Sequence, residues 1–193
     1  TYRINENGFN LFPRLERELV HTVSGKRVST GVLGLDEMTG GGYFEGSSIL
    51  LTGSSGAGKS LIALQFLLQG LKDGRKSLLV SFEESKDQIL RNARGFGWDF
   101  ETHEKEGKFK MLIAYPEQRY LEEHIGNITE EIEKFGANLV VIDSLSSLGN
   151  VFSEGVLRDF VSRLNAYMKD KLVTSIFTNA TSTLLGATQI TDA

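Results

Sequence analysis

The 193-residue chain contains no cysteine, only 2 prolines and no long apolar run. The lack of cysteine excludes disulfide bonds. It also argues against a structural zinc site, because the three scattered histidines do not have ligand spacing. No apolar stretch approaches the roughly 18 residues that a membrane-spanning helix needs. Residues 1–10 are polar and of mixed charge, so we expect a soluble, cytoplasmic protein without contact to a membrane.

Basic residues are also comparatively few, with 21 Lys and Arg against 25 Asp and Glu and a formal net charge of −4. Nucleic-acid binders need clustered positive charge to contact phosphates, so this balance argues against a dedicated one without excluding a local basic patch. A chain of this length can bury about 70% of its unfolded surface in a single core. We therefore expect one main domain.

Glycine, in contrast, is abundant, and its 21 residues make up about 11% of the chain. Residues 53–60 match the pattern G-x-x-x-x-G-K-[ST] between a predicted strand, residues 48–52, and a predicted helix. Backbone N–H groups of such a loop surround phosphate oxygens, and the following helix adds the positive end of its dipole. The sequence therefore predicts nucleotide contacts from Gly53, Ser54, Ser55, Gly56, Ala57, Gly58, Lys59, Ser60 and Leu61. Lys59 is expected to contact the β- and γ-phosphates and assist catalysis, and Ser60 to bind Mg²⁺.

Short apolar segments alternate with stretches of helical periodicity along most of the chain. Predicted strands occupy residues 48–52, 77–82, 110–114, 139–142 and 173–178. One helix should follow a capping box that pairs Ser85 with Gln88, and another should end at Gly136. This alternation predicts an α/β fold, a mostly parallel twisted sheet with helices on both faces, which binds ligands at the carboxyl ends of its strands.

Polar side chains follow three of these predicted strands. Asp143 is expected to hold Mg²⁺ directly or through water, although a helix-capping aspartate would have the same position. Glu83 or Glu84 could take a proton from an attacking water, but adjacent acids at a strand end are often only solvated. Asn179 could bind the γ-phosphate or the water, or could be an ordinary turn residue. His124 follows no strand, and we expect it on the flank of the predicted helix that ends at Gly136.

A longer series of motifs resembles the KaiC/RadA branch of the RecA-like P-loop ATPases. Residues 29–44 carry the opening motif, S-T-G-V-L-G-L-D-E-M-T-G-G-G-Y-F, and the similarity continues through residues 81–85, 88–93, 114–117, 142–146, 177–179 and 186–187. The likeness is greatest to the second ATPase domain of KaiC-type circadian clock proteins. It implies ATP and Mg²⁺ as cofactors, with the nucleotide at the interface between subunits of a homo-oligomeric ring, usually a hexamer.

The same resemblance implies roles for individual residues. Glu83 matches the catalytic glutamate, and Glu84 is its neighbour. Clock-type members phosphorylate themselves on Ser or Thr, and Thr191 aligns with their regulatory segment, although a strand-forming threonine without a regulatory role fits equally well. The adjacent acceptors and the Lys or Arg residues that reach the next subunit would follow Ala193.

The resemblance also predicts how the chain is divided. Residues 1–28 are similar to the tail strand of a preceding KaiC-type domain plus a linker, and residues 29–193 to a C-terminally incomplete ATPase domain. An arm that packs on its own domain or on a neighbouring subunit is the alternative for the first segment.

The sequence supports three hypotheses for the function of the protein. The first is a ring ATPase with possible Ser/Thr autokinase activity, a clock or signalling role and corresponding protein partners. The second is a RadA-type DNA recombination and repair ATPase, which should have a basic, glycine-rich loop that we do not find between Asp143 and Asn179. The third is an assembly scaffold that binds ATP to hold a ring together.

Overall fold

The computed structural model describes residues 2–5, 8–11, 24–118 and 120–181. The strands are β1 (Tyr2–Asn5), β2 (Gly8–Leu11), β3 (Arg27–Val28), β4 (Tyr43–Phe44), β5 (Ser48–Gly53), β6 (Ser77–Ser81), β7 (Phe109–Ile113), β8 (Leu139–Asp143) and β9 (Thr174–Ala180). The helices are α1 (Leu33–Met38), α2 (Lys59–Lys72), α3 (Lys86–Gly95), α4 (Phe100–Lys105), α5 (Leu121–Phe135), α6 (Leu145–Gly149) and α7 (Glu154–Asp170), with a 3₁₀ turn at Pro116–Gln118.

The main sheet has five parallel strands in the order β5-β9-β8-β6-β7. All of β6 and the first four residues of β8 are buried, as expected for strands with helices on both faces. One hydrophobic cluster packs α5 and α7 against the sheet, and a second packs α2, α3 and α4. The predicted α/β architecture, a RecA-like parallel sheet between helical layers, is confirmed.

Two helix boundaries predicted from the sequence are present. The Gln88 N–H donates to Ser85 Oγ (3.4 Å), and the Ser85 N–H donates to Gln88 Oε1 (2.9 Å), so the capping box is complete. Gly136 follows α5 with a φ of 72°, a left-handed conformation that glycine adopts without steric cost. The prediction for His124 was wrong. Its side chain is 2% exposed and meets the Phe82 ring edge to face, because its position falls on the apolar side of α5.

The segment from residue 24 to residue 47 is ordered by short elements that the periodicity did not predict. β3 lies within the residues interpreted as a linker and pairs with β4 in an antiparallel ladder. Between them, Asp36 of α1 accepts hydrogen bonds from Ser29 and Thr30, which ties α1 to the preceding loop. The same loop lies against α2, since Gln65 Nε2 donates to Gly31 O (3.0 Å).

β1 and β2 form a separate antiparallel pair near the start of the chain. Thr191 lies outside the described residues. Among the helices of the described segments, none is long and apolar enough to cross a membrane.

Candidate nucleotide-binding site

A cavity of about 340 Å³ lies at the carboxyl edge of the main sheet. The loop after β5, the start of α2, the turn after β6, the end of α3 and the ends of β8 and β9 all contribute to its wall. The lining residues are Ser55, Gly56, Gly58, Lys59, Ser60, Leu61, Leu64, Glu83, Glu84, Asn92, Phe96, Asp143, Ser144 and Ala180. Most residues predicted for phosphate, metal and proton chemistry are therefore brought together in one place.

The glycine-rich loop has the backbone conformation that its sequence pattern requires. Gly56 and Gly58 have φ values of 79° and 84°, in the left-handed region that other residues rarely adopt. α2 begins immediately afterwards at Lys59, so the N-terminal end of a 14-residue helix borders the cavity. That end attracts anions, because its N–H groups lack partners within the helix and the helix dipole is positive there.

The ammonium group of Lys59 lies within the loop. Its Nζ donates to Gly53 O (3.0 Å) and to Ser54 O (2.8 Å). Gly53 and Ser54 thus contact the lysine rather than the cavity wall. The predicted site residue Ala57 also lies outside the lining. These contacts fix the side chain beside the loop whose pattern predicts phosphate binding.

Asp143 ends β8, and its carboxylate accepts a hydrogen bond from one hydroxyl group and shares the cavity with another. The Thr178 hydroxyl of the neighbouring strand donates to Asp143 Oδ1, and Ser60 lines the same cavity. In the part of the chain that the structure describes, no three His, Cys, Asp or Glu side chains cluster as a metal site. A hydroxyl and a single carboxylate fit Mg²⁺, which is usually held by one or two protein oxygens, phosphate oxygens and water.

Glu83 and Glu84 lie in the turn that follows β6. Ser81 forms this turn, since its hydroxyl donates to Glu84 O (2.9 Å) and accepts from the Glu84 N–H (3.1 Å). Glu83 Oε2 accepts from the hydroxyls of Ser144 (3.0 Å) and Ser147 (3.3 Å). The carboxylate of the first glutamate is therefore held by the chain segment that follows β8.

The carboxyl group of Glu84 is in a different environment. Burial raises its pKa, and the negative charges of Asp143 and Glu83 raise it further. Asn92 Nδ2 donates to its Oε1 at 3.3 Å. Glu84 therefore holds a proton to a higher pH than an ordinary glutamate does. Two neighbouring acids in different environments are a common arrangement where protons are transferred.

Two further lining residues, Asn92 and Phe96, were missed by sequence reasoning. They lie four residues apart at the end of α3 and therefore share one face, a spacing that could have drawn attention to them. The Phe96 ring is 58% exposed and stacks on Trp98, with ring centroids 5.2 Å apart. Trp98 itself packs against the core. An exposed aromatic ring, held by its stacking contact with Trp98, thus forms part of the cavity wall.

The structure places Asn179 next to the cavity rather than in its wall. It lies in β9 opposite Thr52 of β5, and its neighbour Ala180, rather than Asn179 itself, lines the cavity.

A parallel sheet whose strand β5 leads through a glycine loop into α2, with acidic residues at the ends of β6 and β8, is the arrangement of a P-loop nucleotide-binding domain. Comparison with known proteins gives the family. The family described as "ATPase: KaiC" matches residues 28–192. The chain belongs to this KaiC ATPase family, in agreement with the resemblance seen in its motifs.

Individual relatives are similar over the whole chain. The Circadian clock oscillator protein KaiC of Rippkaea orientalis is 41% identical over 192 residues, which is 100% of this chain and 37% of the relative. KaiC 1 of Synechocystis sp. and KaiC of Synechococcus elongatus are each 40% identical over 192 residues, with the same coverage. The chain thus spans 37% of the length of these relatives.

Proposed function

We propose that this chain is an ATP-binding and ATP-hydrolysing domain of a KaiC-type protein. The observation that carries the proposal is the cavity in which Lys59, Ser60, Glu83 and Asp143 meet at the carboxyl edge of the sheet. Each of these side chains has a chemistry that hydrolysis of a nucleoside triphosphate needs, and their positions follow from three separate parts of the fold: the start of α2, the turn after β6 and the end of β8.

In this proposal, the loop of residues 53–60 and the start of α2 bind the phosphates. Lys59 exchanges its carbonyl partners for β- and γ-phosphate oxygens. Ser60 and Asp143 hold Mg²⁺, which neutralises charge on the phosphates when bound. The adenine ring stacks on Phe96, since base–aromatic stacking needs an exposed ring face. Leu61 and Leu64 complete the apolar part of the wall.

Glu83 acts as the base of the hydrolytic step. A water oxygen bonds to the γ-phosphorus while its proton passes to the Glu83 carboxylate, and the bond from the γ-phosphorus to the β–γ bridging oxygen breaks. ADP and phosphate are the products. Glu84, whose pKa is raised, supplies a second proton-holding group beside Glu83. We place Asn179 near the water or γ-phosphate because it adjoins Ala180.

Assembly and regulation form the part of the proposal supported by relatives whose names describe them as circadian clock oscillator proteins. We propose a cytoplasmic, hexameric ring with the nucleotide between subunits and with clock or signalling proteins as partners. A residue supplied by a neighbouring subunit can raise phosphoryl-transfer rates by roughly 10³–10⁵, so turnover outside a complete ring should be slow. Ser/Thr autophosphorylation, with Thr191 as a candidate acceptor, and the division into residues 1–28 and 29–193 belong to the same proposal.

Glu83→Gln tests the catalytic assignment. We expect the variant to bind ATP with nearly unchanged affinity and to release phosphate at least 100-fold more slowly, because an amide cannot accept the proton. Titration calorimetry and a phosphate-release assay measure the two quantities. Glu130→Gln, on the exposed surface of α5, is the matched control and should behave as the wild type. Wild-type turnover by Glu83→Gln would refute Glu83 as the base.

The scaffold alternative predicts a different pattern. If ATP served assembly alone, the subunit mass measured by light scattering would depend on ATP, while Glu83→Gln would leave phosphate release unchanged. Loss of phosphate release in Glu83→Gln supports the enzyme. Transfer of ³²P from labelled ATP to the wild type, but not to Thr191→Ala, would support the autokinase assignment.

A further inference from the structure

Three serine hydroxyls lie together at the junction between β8 and α6, and two of them contact Glu83. Ser144 Oγ lies 3.0 Å from Glu83 Oε2, 2.8 Å from Ser146 Oγ and 3.1 Å from Ser147 Oγ. Ser147 Oγ also lies 3.3 Å from Glu83 Oε2. The Ala180 N–H, at the end of β9, donates to Ser146 Oγ (3.2 Å). Two consecutive hydroxyl groups, those of Ser146 and Ser144, thus connect the end of β9 to the proposed base.

Counting hydrogens gives this network a direction. A serine hydroxyl has one hydrogen to donate and two lone pairs that can accept. Because a carboxylate is the strongest acceptor in the group, the hydrogen of Ser144 belongs to Glu83 Oε2. Ser146 then donates to Ser144 Oγ and accepts from the Ala180 N–H. Ser147 divides its single hydrogen between Ser144 Oγ and Glu83 Oε2.

The two oxygens of the Glu83 carboxylate are therefore unequal. Oε2 receives two hydroxyl groups, whereas no hydrogen bond from another described residue reaches Oε1. Ser144 is only 3% exposed, so water does not compete with its bond to the carboxylate. Such an arrangement holds the carboxylate in one rotamer and leaves the second oxygen to accept a proton.

We propose that Ser144 and Ser147 are positioning residues that fix Glu83 through Oε2, so that Oε1 is the oxygen that takes the proton from water. The inference rests on the proposed function of Glu83 as base. Ser146 contributes by orienting the Ser144 hydroxyl and by linking it to β9. Neither Ser144 nor Ser147 contacts the water or the phosphate in this role.

Removal of the two hydroxyls should change the rate of the chemical step and leave nucleotide binding intact. We expect Ser144→Ala to lower kcat for ATP hydrolysis about tenfold, the effect of losing one hydrogen bond to a charged group, and Ser147→Ala to lower it two- to fourfold. KM and the Kd for ATP should stay within twofold. Ser147→Thr, which keeps the hydroxyl, should restore the rate. Ser153→Ala, at a serine whose side chain forms no cap bond, is the control.

A double-mutant cycle with Glu83→Gln separates positioning from a general structural effect. If the serines act through the base, Ser144→Ala should change the residual single-turnover rate of Glu83→Gln by less than twofold. The same tenfold loss in both backgrounds would overturn the inference. Ser147→Ala provides the test at a half-buried site if Ser144→Ala fails to fold, as checked by thermal unfolding with and without ATP.

The failure of this inference is distinguishable from failure of the proposed function. Full turnover by Glu83→Gln would refute the base itself. If Glu83→Gln is inactive while the double variant Ser144→Ala/Ser147→Ala keeps wild-type kcat, Glu83 remains the base and only the positioning role is refuted.

Discussion

The Asp36 carboxylate should be one of the largest single contributors to stability outside the hydrophobic core. It accepts from Ser29 Oγ (2.5 Å), from the Thr30 N–H (2.7 Å) and from Thr30 Oγ1 (2.7 Å). Thr30 is fully buried, so Asp36→Ala leaves its N–H without a partner. An unpaired buried donor costs about 1–3 kcal/mol, and loss of the remaining charged bonds adds about 1 kcal/mol. We therefore expect Asp36→Ala to lower the free energy of unfolding by about 2–4 kcal/mol.

The contribution of Asp36 to the free energy of unfolding should also depend on pH. Burial by itself would raise the pKa of Asp36, but the bonds from the Ser29 hydroxyl and from the Thr30 N–H and hydroxyl outweigh it, and the pKa falls below the ordinary 3.8. A carboxyl group whose pKa is lower in the folded protein stabilises fully above the unfolded value and loses that contribution as the pH falls through the folded value. The difference between wild type and Asp36→Asn should be constant from pH 5 to 8 and shrink below pH 4.

Urea unfolding followed by circular dichroism measures these free energies at each pH. Glu37→Ala is the matched control, since Glu37 occupies the next position of α1 and is exposed. It should change stability by no more than about 0.5 kcal/mol. The reasoning would be refuted if Asp36→Ala lowered the free energy of unfolding no more than Glu37→Ala does. It would also be refuted if the difference in that free energy between the wild type and Asp36→Asn were the same at pH 3 as at neutral pH.

Three further perturbations test packing and the nucleotide site. Gly70→Ala would place a Cβ 2.0 Å from Leu139 Cδ1 and should lower the free energy of unfolding in urea by about 1–3 kcal/mol. Gly95→Ala, whose Cβ would have no other atom within 4 Å, should leave it unchanged, and equal effects of the two substitutions would contradict the packing. Phe96→Ala should weaken ATP binding about tenfold in calorimetry, because stacking on an aromatic ring contributes about 1–3 kcal/mol, and Phe96→Tyr should not weaken it. An unchanged Kd of Phe96→Ala for ATP would show that the ring does not take part in binding. Lys59→Ala should weaken ATP binding at least tenfold while leaving the unfolding free energy within about 1 kcal/mol, and wild-type affinity would remove Lys59 from the phosphate site.

Much of the fold could be predicted because its signals are local and periodic. The buried strands β6 and β8 are continuous apolar runs, and the capping box at Ser85 marks the start of α3 within the sequence itself. The glycine pattern before Lys59 likewise predicts both a loop and its chemistry. α1, α4 and α6 were missed, since helices of five or six residues complete too few turns to show a period.

The candidate site was less predictable where it depends on which side chains turn toward the cavity. Phe96 lies two positions before Trp98 in the sequence, and nothing in their order reveals that one ring is exposed while the other packs against the core. The contact of Ser144 and Ser147 with Glu83 joins residues more than 60 positions apart. Such contacts follow from the pairing of β6 with β8, which has to be formed before they exist.

Both ends of α3 border the cavity, with Glu83 and Glu84 before its first residue and Asn92 and Phe96 at its last turn. A helix is stiff along its axis, and α3 is further anchored through Ile89, Leu90 and Ala93. We therefore expect α3 to move as one rigid unit. A displacement of the turn that holds Glu83 and Glu84 should therefore also move Asn92 and Phe96, so the proposed contacts to the phosphates and to the adenine ring would change together.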